Sequence, residues 1–239
     1  MRFPRKISVI FIFISIAINQ ERIGEWDCYT STLNINDIAI FGEDIYCATE
    51  GGILQFILYE KSFQTYTKLH GLKSTNLSVI ETGEDHLLWI GGHEPGFIQR
   101  FDPSKEMVIL EFPYEFSEIS HIISGDSIAY AVYRYNQDWG IAEYRFENGT
   151  FNHRDLYPVL QLAEDGINDI EIMDTTVFIG TQSGLFRGIT GEDPNSWSLI
   201  SEGVVGNVTD IEISGDLVLF ISNTELYSIN LYSQETLSL

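Results

Sequence analysis

Thirty-five carboxylates, five histidines and two cysteines are what the 239-residue chain offers for chemistry. The histidines are His70, His86, His93, His121 and His153, and no two share the H-E-x-x-H type of spacing that places two imidazoles on one metal. His121 falls in a strand-like run and His86 in a tight turn, so packed or surface roles are expected. Cys28 and Cys47 form no C-x-x-C pair. An exported chain permits a disulfide between them, but nothing in the sequence forces pairing. Cys47 also suits a free buried thiol in an apolar strand. The segment "NQDWG" (136–140) lacks the alternating oxygens and distal glutamate of a calcium loop, and "GEDPNSW" (191–197) reads as a turn. No G-x-S-x-G or phosphate loop occurs. With so many acids, carboxylate pairs are inevitable. A glycosidase needs two at a defined separation in space, which a sequence does not define. The expectation is a chain without catalytic residues, metal or cofactor.

Binding is better served. Three segments are longer than their counterparts elsewhere in the chain: "GHEPG" (92–96), "YRYNQDWG" (133–140) and "YPVLQLAEDG" (157–166). Variable loops on a rigid scaffold are favoured places for function. His93, Glu94, Tyr133, Arg134, Tyr135, Asp138 and Trp139 are the candidate ligand or partner residues. The aromatic and arginine content suits an interface. The same side chains also suit packing on their own loop.

The elements that carry these loops repeat. Asn34–Ile57, "NINDIAIFGEDIYCATEGGILQFI", aligns without a gap with a second copy 132 residues later. Ile38, Ile80, Ile122, Ile170 and Ile211 mark five units, 42, 42, 48 and 41 residues apart. Gly52, Gly96, Gly140 and Gly184 follow at steps of 44. Each unit holds four short runs rich in Ile, Tyr, Phe and Thr between turn residues, as "DIAIF", "IYCAT", "ILQFI" and "FQTYT" do in the first. Asn148-Gly149 predicts a tight hairpin with positive φ at both residues. Four antiparallel strands per unit predict an all-β fold, a β-propeller of about five blades at 35–67, 77–112, 119–156, 167–201 and 208–239. So small a sheet cannot bury both faces alone, and radial stacking buries each against the next. "GEWDCYTS" (24–31) resembles a fourth strand, which would suit ring closure. A fragment of a larger ring, of seven blades, is expected, with a complete five-bladed ring as the alternative.

Residues 1–20 stand apart from the propeller domain expected over 21–239. Arg2, Arg5 and Lys6 precede an apolar run from Ile7 to Ile18, the pattern of a signal peptide and short for a membrane span. An uncleaved anchor is the alternative. Residues 21–239 keep 10 basic and all 35 acidic residues, a net charge of −25. Such a surface repels nucleic acid and anionic lipid at long range. No nucleic-acid partner is expected, and membrane contact only through the leader or a partner.

"GLKSTNLSVIETGEDHLLWIGG" (71–92) is similar to the repeat of two-component-regulator propellers through Gly71, Leu72, Ser74, Ile80, Asp85, Leu88, Trp89, Ile90 and Gly91. It departs at Asn76, His86 and Gly92. "WDCYTSTLNINDIAIFGEDIYCATEGGILQF" (26–56), behind a leader, resembles the N-terminal propeller of PorZ-like proteins. That resemblance implies a part in type IX secretion and an envelope protein, glycan or lipopolysaccharide as partner. The resulting expectation is an exported binding or scaffold protein of the periplasm or cell surface. The alternatives are a periplasmic ligand-sensing propeller of a two-component regulator, and a propeller glycosidase or lyase. Sequons at Asn76, Asn148 and Asn207 are set aside because the resemblance points to a bacterium.

Overall fold

The computed structural model describes residues 30–158, 160, 166–200, 206–230 and 236–238. The leader, Cys28 and most of the 157–166 segment lie outside the described residues. Among the described residues, twenty strands form five antiparallel units. The first comprises β1 (Ile35–Phe41), β2 (Asp44–Thr49), β3 (Gly52–Ile57) and β4 (Ser62–Tyr66). The second comprises β5 (Leu77–Thr82), β6 (Leu88–Gly96), β7 (Ile98–Asp102) and β8 (Met107–Glu111). The third comprises β9 (Phe116–Ser124), β10 (Ile128–Tyr135), β11 (Asp138–Glu147) and β12 (Thr150–Tyr157). The fourth comprises β13 (Ile167–Met173), β14 (Thr176–Thr181), β15 (Gly184–Ile189) and β16 (Ser198–Leu199). The fifth comprises β17 (Val208–Ser214), β18 (Leu217–Ser222), β19 (Glu225–Asn230) and β20 (Thr236–Ser238).

The leading strands β1, β5, β9, β13 and β17 neighbour one another in that order. The fold is a β-propeller with these strands at its hub. Asn148 and Gly149 turn β11 into β12 with φ of 55° and 83°, the geometry an Asn-Gly hairpin demands. Gly52 and Gly184, where the third strands begin, take φ of 115° and 137°. Side chains avoid that backbone, which accounts for glycine there.

Each leading strand carries a register shift at the same repeat position. The extra residue is Asn36, Ser78, Ser120, Asn168 and Thr209 in turn. A β-bulge of this kind releases one residue from the ladder and re-aims its side chain.

Four clusters of buried residues fill the four spaces between blades. Tyr46, Ile53 and Tyr66 meet Ile80, Ile90 and Phe101 between the first and second. Trp89 and Phe112 meet Tyr144 and Phe151 between the second and third. Tyr130 and Val132 meet Ile170 and Ile179, and Phe178 and Leu185 meet Ile211 and Phe220. Each such side chain contributes about 1.5–3 kcal/mol by leaving water. Stacking is therefore what holds the sheets. Ile38 shows the rule from the other side. It is 60% exposed, whereas its counterparts Ile80, Ile122, Ile170 and Ile211 are exposed by no more than 5%. Among the described residues, no blade covers the face of the first blade that carries Ile38 and Ile40.

The structure corrects the picture of 92–96 and 133–140 as enlarged loops. Residues 92–96 continue β6 beyond its partner β7, and β6 then pairs with β9 through His93↔Glu118 and Gly96↔Phe116. The second and third blades are thereby joined into one sheet through β6 and β9. Segment 133–140 lengthens the β10–β11 hairpin, whose turn is only Asn136–Gln137. Strand pairing holds most of both additions, with Glu94 and Pro95 exposed between the paired His93 and Gly96. Cys47 is a free, buried thiol in β2, and burial followed by Asp37 pushes its pKa up.

Candidate binding surfaces

The repeated Asn-Asp pair that opens the leading strands fastens blade to blade. The Asp37 carboxylate accepts from Ile38 N at 2.8 Å with one oxygen and from Ile80 N of the next blade at 2.9 Å with the other. Asp169 repeats the bond, accepting from Ile170 N at 2.8 Å and Ile211 N at 2.7 Å. The bulged residues add a parallel set. Asn36 Nδ2 donates to Leu77 O, Ser78 Oγ to Ile119 O and Asn168 Nδ2 to Val208 O, each a blade ahead. The side chains of this pair thus reach forward one full repeat.

These fasteners surround a hub cavity of about 280 Å³, lined among others by Asp37, Glu81, His121, Asp169 and Glu171. It concentrates negative charge. Burial pushes Asp37 and Asp169 up from the usual carboxylate range. Burial raises Glu81 to about 6, and burial with like charge from Asp169, Glu212 and Glu81 raises Glu171 to about 7. Burial holds His121 below its ordinary value, against the opposing pull of Asp169. Among the described residues, no group of three or more His, Cys, Asp or Glu side chains is placed to hold a metal ion.

A second, more open polar cleft of about 410 Å³ shares Asn36, Ser78 and Ser120 with the hub cavity and adds Glu50, Asn76, His93 and Glu118. His93 Nδ1 lies 3.5 Å from Glu118 Oε1. Glu94 is exposed on the segment that bridges β6 to β9.

The remaining candidates sit on the β10–β11 hairpin, and strand alternation divides them. Tyr133, Tyr135 and Asp138 share one face, since Tyr135 pairs with Asp138 and Tyr133 with Gly140. Arg134 and Trp139 pair on the other face, where the guanidinium lies 5.7 Å from the indole centroid. Trp139 also packs on Gly166. Tyr133 is buried, with its ring stacked on Phe116 at 4.2 Å and 24°. Tyr135 is 57% exposed. Tyr133, Tyr135 and Asp138 line an apolar pocket of about 250 Å³ with Tyr114, Glu115, Phe116, Leu156 and Pro158. The structure therefore brings together three of the seven residues and separates the other four into three places.

Sequence reasoning missed Tyr114, Glu115, Phe116 and Leu156, which reach the pocket only through tertiary packing. It also missed the hub acids. Their signal was present: Glu81, Glu171 and Glu212 each follow the repeat's marker isoleucine by one residue.

A propeller with an aromatic pocket on one rim and an acidic hub is the class defined by these features. No family model matches the chain, and no curated protein matches it by sequence. Its fold is similar to that of PorZ, an essential bacterial surface component of the type IX secretion system of Porphyromonas gingivalis (14% identity, TM-score 0.66). That match covers 90% of this chain and 29% of PorZ. It is also similar to the extracellular domain of a putative hybrid two-component system from B. thetaiotaomicron (15% identity, TM-score 0.67), covering 91% of this chain and 31% of that one. A putative 6-phosphogluconolactonase from Bacteroides fragilis shares the fold as well (11% identity, TM-score 0.56), over 84% of this chain and 68% of that one. The chain thus spans less than a third of the first two. At these identities the likeness is one of fold, and function rests on the site.

Proposed function

We propose that the chain is an exported β-propeller that binds a partner at the bacterial envelope and performs no chemistry on it. The observation that carries this reading is the rim of the third blade. There an exposed Tyr135 stands beside an apolar aromatic pocket, on strands paired along their length. A rigid aromatic anchor next to a preformed hollow is the composition of an interface hot spot. The leader-like Arg2, Arg5 and Lys6 before an apolar run supports export. Within this reading, a PorZ-like role linked to type IX secretion is the preferred assignment, supported by the fold and by the opening segment. A ligand-sensing role is the second reading, favoured by the polar cleft around His93 and Glu118.

The test is capture from a bacterial envelope extract by the folded chain and by Tyr135→Ala. A defined partner retained by the first and lost by the second, at equal thermal stability, supports the reading. Equal capture by both removes the rim from it, and turnover of an envelope glycan by the purified chain overturns the non-enzymatic assignment.

A further inference from the structure

The third-blade pocket carries chemistry that selects one class of side chain. Resting on the binding reading above, we propose that this pocket takes a cationic side chain, lysine or arginine, from a basic segment of the partner. Its volume of about 250 Å³ is below the roughly 300–1,000 Å³ of small-molecule sites, and suits one long side chain. The walls are preformed. Tyr133 stacks on Phe116, and an added Cβ at Gly140 would lie 2.3 Å from Tyr133 Cζ, so glycine is what lets the ring lie there. The Tyr114 hydroxyl sits 3.0 Å from His153 Nδ1, which fixes that ring in the wall as well. Little conformational entropy is then lost when a side chain enters.

The charge lies at the mouth. Asp138 is exposed and has no ion-pair partner among the described residues. The Glu115 side chain is 82% exposed, with Lys73 only at 3.7 Å. The pocket lining itself includes no basic residue. Aromatic faces and carboxylates both attract a cation, while the apolar wall accepts the methylene stem of lysine or arginine. A chain of net charge −22 adds long-range steering toward a basic partner.

Calorimetric titration of the folded chain with Nα-acetyl-arginine amide and Nα-acetyl-lysine amide tests this, with Nα-acetyl-citrulline amide, Nα-acetyl-norleucine amide and glucose as controls. At least one cationic probe should bind about fivefold or more tightly than its neutral counterpart. Asp138→Asn and Tyr135→Ala should each weaken it by about threefold or more, with melting temperature unchanged. Equal binding of charged and neutral probes, absence of binding by both cations, binding of glucose in their place, or indifference to both substitutions would overturn the proposal. If Tyr135→Ala abolishes envelope capture while neither cationic probe binds, the binding reading stands and the cationic occupant falls.

Discussion

Replacing Glu171 by Gln should stabilise the protein above neutral pH and leave it unchanged in mild acid. Glu171 lies on β13 and lines the hub cavity. Burial strips water from its carboxylate, and Asp169, Glu212 and Glu81 add like charge. Together they move it from an ordinary 4.5 to about 7. Between those two values the folded state holds a proton that the unfolded chain has released, so stability falls as pH rises through the window. Nothing is lost below the lower value, and the full penalty is present above the upper one. A displacement of that size is worth at most about 3 kcal/mol. Glu171 is only half-buried, so screening by water and salt reduces this to about 1–2 kcal/mol. Glutamine keeps the shape without the charge. The variant should match the unchanged chain near pH 4.5. It should melt about 2–8 °C higher than that chain at about pH 8. Thermal unfolding across this range, at low and high salt, measures the difference. Parallel curves with a constant offset would refute the electrostatic account and leave only a local packing effect. Glu81, which burial raises to about 6, should respond in the same direction by a smaller amount.

Two further substitutions probe how the blades are held. Asp169→Ala removes the acceptor for Ile170 N and Ile211 N and should cost about 2–4 kcal/mol, with faster amide exchange at Ile211. Unaltered exchange at Ile211 would show that the carboxylate does not fasten the fourth blade to the fifth. Arg100 is 1% exposed, lies 3.9 Å over the Trp89 ring and pairs with Asp85, while burial holds its pKa down at about 10. Asp85→Ala should therefore cost about 3–5 kcal/mol in urea unfolding, and adding Arg100→Met should restore most of it. A single-variant cost below about 1 kcal/mol would mean that the guanidinium needs no partner there.

The architecture was legible because a four-stranded unit must recur for its sheets to be buried, and recurrence is visible in a sequence. What the recurring residues do was less legible. Asp37 looks like a local turn residue until its second oxygen is found on Ile80, one repeat away. The glycines at steps of 44 look alike but answer two demands. Gly52 and Gly184 supply positive φ. Gly96 and Gly140 make room, since a Cβ would lie 2.6 Å from Glu118 N at the first and against the Tyr133 ring at the second. At the rim, the two-residue period of a strand already separates Tyr133 and Tyr135 from Arg134 and Trp139. Treating 133–140 as a loop hid it. Tyr114, Phe116 and Leu156 carry no such signal, because their meeting depends on how the segment entering β9 converges with β12.

The repeat also shows how the fold tolerates its own departures. The position held by Asp37 and Asp169 is Val79 in the second blade and His121 in the third, neither of which can accept two backbone N–H groups. At the third blade, His121 makes its contact with the Asn168 backbone instead. At the second, Ser78 keeps the forward bond to Ile119 O, and the extension of β6 pairs directly with β9. Two junctions thus lack a carboxylate clamp, and the one between the second and third blades is joined by strand pairing instead. The extension that carries His93 and Glu94 then has a structural reason to exist, independent of any ligand. The β10–β11 hairpin has no equivalent debt to the hub, since its tip closes no gap between leading strands. That asymmetry is why its exposed Tyr135 and Asp138 make the stronger case for a surface shaped by binding.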